Sequence, residues 1–329
     1  YLNRGLHYFP EDNADADCPA GVCRIDWSAA IEPDLAEISA AYEYTLGQTR
    51  VHLADMNADG LSDLVITERD LVKYFPNRGR LEDYPDDSEL ERRPWAAPVE
   101  MEIEGDAPPP PFDFETRGSV KTLDINFDKR MDVVRSGPGG YLVWRNLGGN
   151  RYAEPEMTCG ALLDGEVLQF RNAHVKTADL NGDRLLDVAR IEATRVAFCP
   201  SLGHGEFEEA RSLEIPDAIL SHRQLGRAEL KDVNGDGLSD LIVERAEQDA
   251  LWFWLNLGND TFSRRRQIVD LHDVARDVEV DWADMNGNGT MDLVYTDSRL
   301  CSGLRLRVID IGLITDGTSH PRLLKTIAN

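Results

Sequence analysis

The chain has 329 residues, room for two ordinary domains or one closed repeat fold, and 42% of them are apolar, ample for a core. Sixty acidic residues against 35 basic ones give a net charge of −25, which argues against nucleic acid as a partner and against docking on an anionic membrane. No apolar run reaches the roughly 18 residues of a membrane helix, and of five cysteines only Cys18 and Cys23 lie close enough for a small disulfide loop.

In chain order, Tyr1 to Gly5 already has the form of a repeat's end, with no initiator Met before it, so the sequence reads as a segment of a longer protein. Pro10 to Arg50 is an insertion in which Ile31 to Ala41 suits a short helix. The first full unit follows: a strand over Val51 to Asp55, an acidic loop, an apolar strand over Leu64 to Thr67, and an aromatic strand ending Tyr74-Phe75-Pro76-Asn77-Arg78-Gly79. A second insertion, Arg80 to Gly118, carries Pro108 to Pro111, a stiff extended segment without backbone donors. Both insertions are expected as decorations on one rim. The unit then recurs with acidic loops starting at 124, 179, 232 and 284, spacings of 55, 53 and 52 after a first interval of 69. Aromatic strands recur as Trp144-Arg145-Asn146-Leu147-Gly148, Phe198-Cys199-Pro200-Ser201-Leu202-Gly203 and Trp254-Leu255-Asn256-Leu257-Gly258. Leu304 to Ile309 alternates like a strand, and residues 314–329 read as a linker or the start of another domain.

Four short strands and their turns fill about 50 residues, the mark of a propeller blade. The post-loop strands, such as Leu64-Val65-Ile66, are continuously apolar, as in sheets buried on both faces. The expected fold is all-β: a β-propeller of about six four-stranded blades over residues 1–313, with insertions at about 10–50 and 80–118. Five blades carry loops, and one is built from the chain ends. A solenoid of hairpins is the competing architecture.

Each loop offers oxygen at positions one, three, five and nine from side chains and at position seven from a backbone carbonyl, the donors a hard cation such as calcium takes. The sets are Asp55, Asn57, Asp59, Leu61 and Asp63; Asp179, Asn181, Asp183, Leu185 and Asp187; Asp232, Asn234, Asp236, Leu238 and Asp240; and Asp284, Asn286, Asn288, Thr290 and Asp292. The remaining set, Asp124, Asn126, Asp128, Arg130 and Asp132, is the weakest, because Lys129 and Arg130 can neutralise its carboxylates. Position six needs a tight bend; Gly60, Gly237 and Gly289 suit it, whereas Lys129 and Arg184 do not. The first and fourth loops rank highest as calcium sites, then the third and fifth. Asx-rich turns of this kind are also stabilised by side-chain to backbone hydrogen bonds without a metal. A metal, if present, staples hairpins and does no chemistry. No Gly-x-Ser-x-Gly nucleophile motif appears, and the seven His show no metal spacing, so no enzyme is expected. Trp252, Phe253 and Trp254 suit a core better than a sugar site.

The Asp-x-Asn-x-Asp-Gly-x-x-Asp loops and aromatic-x-x-Asn-x-Gly strands resemble FG-GAP/VCBS repeats, the blades of integrin-α-like propellers. The likeness is greatest to the SpvB-like and Tc insecticidal toxin B components, in which such repeats precede an Rhs/YD-repeat shell; Pro321 to Asn329 is similar to the segment opening the next domain there. The resemblance implies a secreted, non-enzymatic propeller that docks one toxin component on another and gates cargo release. Its partner would be a toxin-complex protein or the downstream shell. An integrin-like adhesion or glycan-binding module is the first alternative, and a polysaccharide-active enzyme on a propeller scaffold the second.

Overall fold

The computed structural model describes residues 3–8, 23–27, 51–68, 71–78, 95–110, 118–244, 250–268, 280–285, 289–297 and 305–309. The Ile31 to Ala41 helix, Cys18, Asn286, Asn288 and the tail after 309 lie outside them. The chain divides into two compact units, one of Glu32–Ala178 and Asp183–Leu213, the other of Tyr1–Ile31, Asp179–Gly182 and Glu214–Asn329.

Among the described residues the regular structure is nearly all strand. β1 (Asn3–Tyr8) pairs antiparallel with β2 (Cys23–Trp27). A four-stranded sheet follows, from β3 (Val51–Ala54), β4 (Asp63–Glu68), β5 (Leu71–Phe75) and β6 (Val99–Glu100), in sequence order. β7 (Glu102–Ile103) leaves that sheet and pairs parallel with a strand of the next repeat, described below. The second sheet comprises β8 (Val120–Leu123), β9 (Asp132–Gly137), β10 (Gly140–Trp144) and, after β11 (Asn146–Gly148) and β12 (Arg151–Tyr152), the outer strand β13 (Glu156–Thr158). β12 is the parallel partner of β7. A hairpin of β14 (Leu162–Leu163) and β15 (Glu166–Val167) leads to the third sheet, β16 (Val175–Ala178), β17 (Asp187–Ile191), β18 (Arg195–Cys199) and β19 (Arg211–Glu214). One helical turn, α1 (His222–Leu225), precedes the fourth sheet of β20 (Ala228–Lys231), β21 (Asp240–Val243), β22 (Leu251–Trp254) and β23 (Arg266–Ile268). β24 (Val280–Ala283), β25 (Asp292–Asp297) and β26 (Arg305–Ile309) form a three-stranded sheet.

These are propeller blades in kind: repeated antiparallel sheets, each with its acidic loop joining first and second strands and, in the first four, its aromatic segment as third. The sequence expectation differs at one place. The second insertion is more than rim decoration, because β6 within it is the outer strand of the first sheet and β7 ties to the second. The first blade finds its fourth strand about twelve residues later than its siblings do.

The apolar post-loop strands are explained by packing on two sides at once. In β4, Leu64 and Ile66 join one cluster with Val51 and Phe75, while Val65 between them joins another with Val133 and Trp144. In β9, Val133 packs toward the first sheet and Val134 toward the third, with Val188 and Ala197. Alternate residues of one strand thus feed opposite interfaces, so both parities must be apolar. Val65, Ile66, Val133 and Val134 are fully buried, each contributing about 1.5–3 kcal/mol relative to exposure. In the other unit Ile242, Leu251, Phe253 and Leu293 form a corresponding core. Trp252, Phe253 and Trp254 are all buried, as their core reading requires.

Candidate functional site

Where they are described, the loops share one hydrogen-bond scheme, which the fourth shows in full. Position one, Asp232, accepts from the N–H of Gly235 (2.8 Å) through Oδ1 and of Gly237 (2.9 Å) through Oδ2. Position three, Asn234, accepts from the N–H of Asp236 through Oδ1 and donates from Nδ2 to Asp236 Oδ2 (3.1 Å). Position five, Asp236, accepts from the N–H of Leu238 (2.9 Å). The first loop repeats this through Asp55, Asn57 and Asp59, with the N–H groups of Ala58, Gly60 and Leu61.

The ninth position behaves differently from the other three. Asp63, Asp132, Asp187, Asp240 and Asp292 are fully buried. One oxygen accepts the N–H of the apolar residue at position two, as in Met56 to Asp63 (3.0 Å) and Val233 to Asp240 (3.1 Å). The other accepts the N–H of the residue that ends the aromatic strand: Asn77, Asn146, Ser201 and Asn256, at 2.7–2.8 Å. The ninth aspartate therefore joins the loop to the third strand of its own sheet. The marker asparagine then reaches to the loop of the preceding repeat. Asn146 Nδ2 donates to Met56 O, and Asn256 Nδ2 donates to Leu180 O, both at 2.9 Å. Ser201 stands at that place in the third repeat, with a hydroxyl that accepts from Gly203 and no amide to send across.

Backbone geometry agrees with the reading of position six: Gly60, Lys129, Arg184, Gly237 and Gly289 all have φ between 71° and 88°. Lys129 and Arg184 carry the left-handed strain of about 1–2 kcal/mol. Position four also lies in the left-handed region, with Ala58 at 65°, Phe127 at 60°, Gly182 at 82° and Gly235 at 72°. Sequence reasoning missed this second strained position, although Gly in three of the five copies was its signal.

In the second loop Arg130 Nη1 pairs with Asp128 Oδ2 at 3.2 Å, so the loop's own cation answers its carboxylate. Asp124, Asn126 and Asp132 otherwise follow the common scheme. In the third loop Asp179 accepts from Gly182 and Asp183 from Leu185. The division between the two units falls within this loop, so Asp179 and Asn181 count with one unit and Asp183 and Asp187 with the other. In the fifth, Asp284 accepts from Gly289, Thr290 is buried, and Asp292 accepts from Met285.

Burial raises the carboxyl of Asp132 to about 7, with Asp128 and Asp124 adding to the effect against two backbone N–H bonds that lower it. Asp63, Asp232 and Asp240 move upward for the same first reason, Asp240 the most strongly. An all-oxygen donor set with buried carboxyls short of countercharge fits a hard cation. Each carboxylate oxygen engaged by one N–H keeps a second acceptor site. Among the described residues, however, no three acidic, His or Cys side chains converge as a metal-holding group. The hairpins close by hydrogen bonds of their own.

Residues 232–295 match the model of the FG-GAP-like repeat. At the level of sequence, no curated protein matches the chain. Among solved structures the chain is similar to one in the Tc holotoxin pore of Photorhabdus luminescens, with a TM-score of 0.62 and 20% identity, covering 88% of this chain and 12% of that one. It is also similar to an Agrocybe aegerita lectin that specifically recognises non-reducing terminal N-acetylglucosamine, with a TM-score of 0.52 and 15% identity over 82% of this chain and 67% of the lectin. A TcdB2-TccC3 structure aligns with a TM-score of 0.43 and 15% identity, over 85% of this chain and 15% of that one. The chain spans about an eighth of the toxin-pore chain it matches. At these identities the likeness is one of fold.

Proposed function

We propose that the chain is a non-enzymatic docking module, a β-propeller acting within a secreted toxin assembly of the Tc kind and binding another protein of that assembly. The observation that carries the reading is the fold likeness to a chain of the Tc holotoxin pore over 88% of the present chain. Two features support it. The residues easiest to recognise, the acidic loops, are consumed in closing hairpins, and among the described residues no helix is long and apolar enough to cross a membrane. Residues 314–329 would lead into the next domain, and gating of cargo belongs to the same reading.

Calcium is part of the proposal, at the first and fourth loops foremost, then the third and fifth. Asp55, Asn57, Asp59 and Asp63, with the carbonyl of Leu61, would hold it in one; Asp232, Asn234, Asp236 and Asp240, with that of Leu238, in the other. A bound cation supplies countercharge to buried carboxylates and cross-links a hairpin, and no reaction passes through it. The second loop is the least suited, because Arg130 already pairs with Asp128.

The test is assembly. The full-length protein should co-elute with its pore-forming partner on size exclusion, and deletion of residues 1–313 should abolish the complex; a complex that survives the deletion overturns the docking reading. The lectin likeness favours a second reading, a glycan-binding module. Saturable binding of N-acetylglucosamine-terminated glycans by the isolated chain would favour it over protein docking.

A further inference from the structure

Between the second and third sheets of one unit lies an open groove of about 1120 Å³ that the acidic loops do not explain. One wall is β13, the outer strand of its sheet, with β10 as its only strand partner among the described residues. The other wall is the segment 202–212 running into β19, the outer strand of the next sheet. The β14–β15 hairpin closes one side and is tied down by Cys199, whose thiol donates to Leu162 O at 3.2 Å. The outer edge of β13 therefore faces the channel, and an unpaired edge is a template for another strand.

The groove has a distinct chemistry. Met157, Leu162 and Leu202 line it together with 62%, 44% and 52% of their surfaces exposed, three large apolar side chains gathered in one cleft. Its arginines are already answered: Arg145 pairs with Glu156, Arg195 with Glu192 and Arg211 with Glu208. Glu206 and Glu209 line it too and make no ion pair among the described residues. The remaining field is negative, on a chain whose net charge is −25. The volume lies just above the about 300–1,000 Å³ of small-molecule pockets, and the shape is open along a strand.

We infer that this groove takes an extended peptide segment of a protein partner, which adds as a strand along β13. Alternate side chains of the segment are basic, toward Glu206 and Glu209, and apolar, toward Met157, Leu162 and Leu202. Backbone hydrogen bonds to the strand edge give affinity, and alternation gives specificity. The inference rests on the docking reading only for the partner's being a protein. A failure here leaves the assembly test untouched, because that test removes the whole module.

The probe is a fluorescein-labelled acetyl-Lys-Leu-Lys-Val-Lys-Leu amide, with its Glu-for-Lys counterpart as control, titrated into the 329-residue chain by fluorescence polarisation. The basic peptide should bind saturably and the acidic one should not. The double variant Glu206→Lys, Glu209→Lys should weaken binding about tenfold. Reversing two exposed acids outside the groove, Glu102→Lys and Asp106→Lys, should change it less than about twofold. Cys159, an exposed thiol in the groove, gives a located readout. Its maleimide labelling, followed by peptide mapping, should slow when the peptide is bound. Equal losses for the two double variants would mean diffuse charge attraction and would overturn the site. So would unchanged Cys159 labelling, or protection of Cys159 by N-acetylglucosamine and not by the peptide.

Discussion

Replacing Asn256 by alanine removes three hydrogen bonds at a residue that is 1% exposed. Two are donated by Nδ2, to Leu180 O at 2.9 Å and to Ser239 O at 3.3 Å, and one is accepted from the N–H of Gly258 at 3.0 Å. At about 1 kcal/mol net for each well-made bond, plus about 1–2 kcal/mol for weakened satisfaction of buried carbonyls, the loss should be about 3 kcal/mol. Asn77 is the internal control. It holds the same place in the first repeat but is only half-buried, and its Nδ2 donates to Ser62 O at the surface. Asn77→Ala should cost about 1 kcal/mol. Asn256→Asp should be worse than alanine, because it loses the donor and sets a second carboxylate beside Asp240, which already accepts the Asn256 N–H. Urea unfolding monitored by tryptophan fluorescence gives all three numbers. If Asn256→Ala lies within about 0.5 kcal/mol of the parent, or costs no more than Asn77→Ala, the asparagine is not the tie between consecutive repeats.

Four further outcomes follow from the loops. EDTA should lower the melting temperature, since a metal held only by the folded state stabilises it; an unchanged melting temperature removes calcium from the account. With calcium present, Asp236→Ala should cost more stability than Asp128→Ala, whose carboxylate is already answered by Arg130, and the reverse order overturns the ranking of loops. Arg184→Gly should stabilise the fold by about 0.5–1 kcal/mol in thermal unfolding, because the φ of 73° is freely open to glycine, partly offset by a looser unfolded chain. In EDTA, urea midpoints should fall as pH rises from about 5 to 8. The folded state keeps the Asp132 proton up to about 7 while the unfolded chain releases it near 4, so the native form binds more protons across that window and loses stability through it. Midpoints that rise with pH would show these carboxyls are not starved of countercharge.

Much of this architecture is legible in the residues, because the repeat writes its rules several times over. The loops and the aromatic strands each rest on local chemistry, and the paired apolar parities of Leu64-Val65-Ile66 announce a sheet packed on both faces. What escapes is non-local. Nothing near Asp63 or Asp240 says that their oxygens serve the backbone of a residue 14 or 16 positions on. Asn146 gives no local sign that it reaches Met56, 90 positions back. β6 is hidden for a related reason: two residues cut off from their sheet by an insertion have no periodicity to read. The groove is illegible because it belongs to the edges of two sheets, and edges are defined only once strands are ordered. The loops taken first as metal sites have a structural duty that the sequence permits but does not rank.

The substitution of Ser201 for asparagine has a mechanical consequence. In a chain of repeats, strength is set joint by joint, as in a zip whose teeth differ. Asn146 and Asn256 each reach back to a loop before their own, whereas the third sheet meets the second through apolar packing, a turn in which Gly205 lies against Thr158, and bonds from Tyr141 to Leu168 O and from the Phe170 N–H to Ser136 Oγ. That joint lacks the amide stitch, and it is also where the groove opens. A cleft there can widen or narrow between β13 and the segment 202–212 without breaking an inter-repeat amide bond or disturbing a single acidic loop.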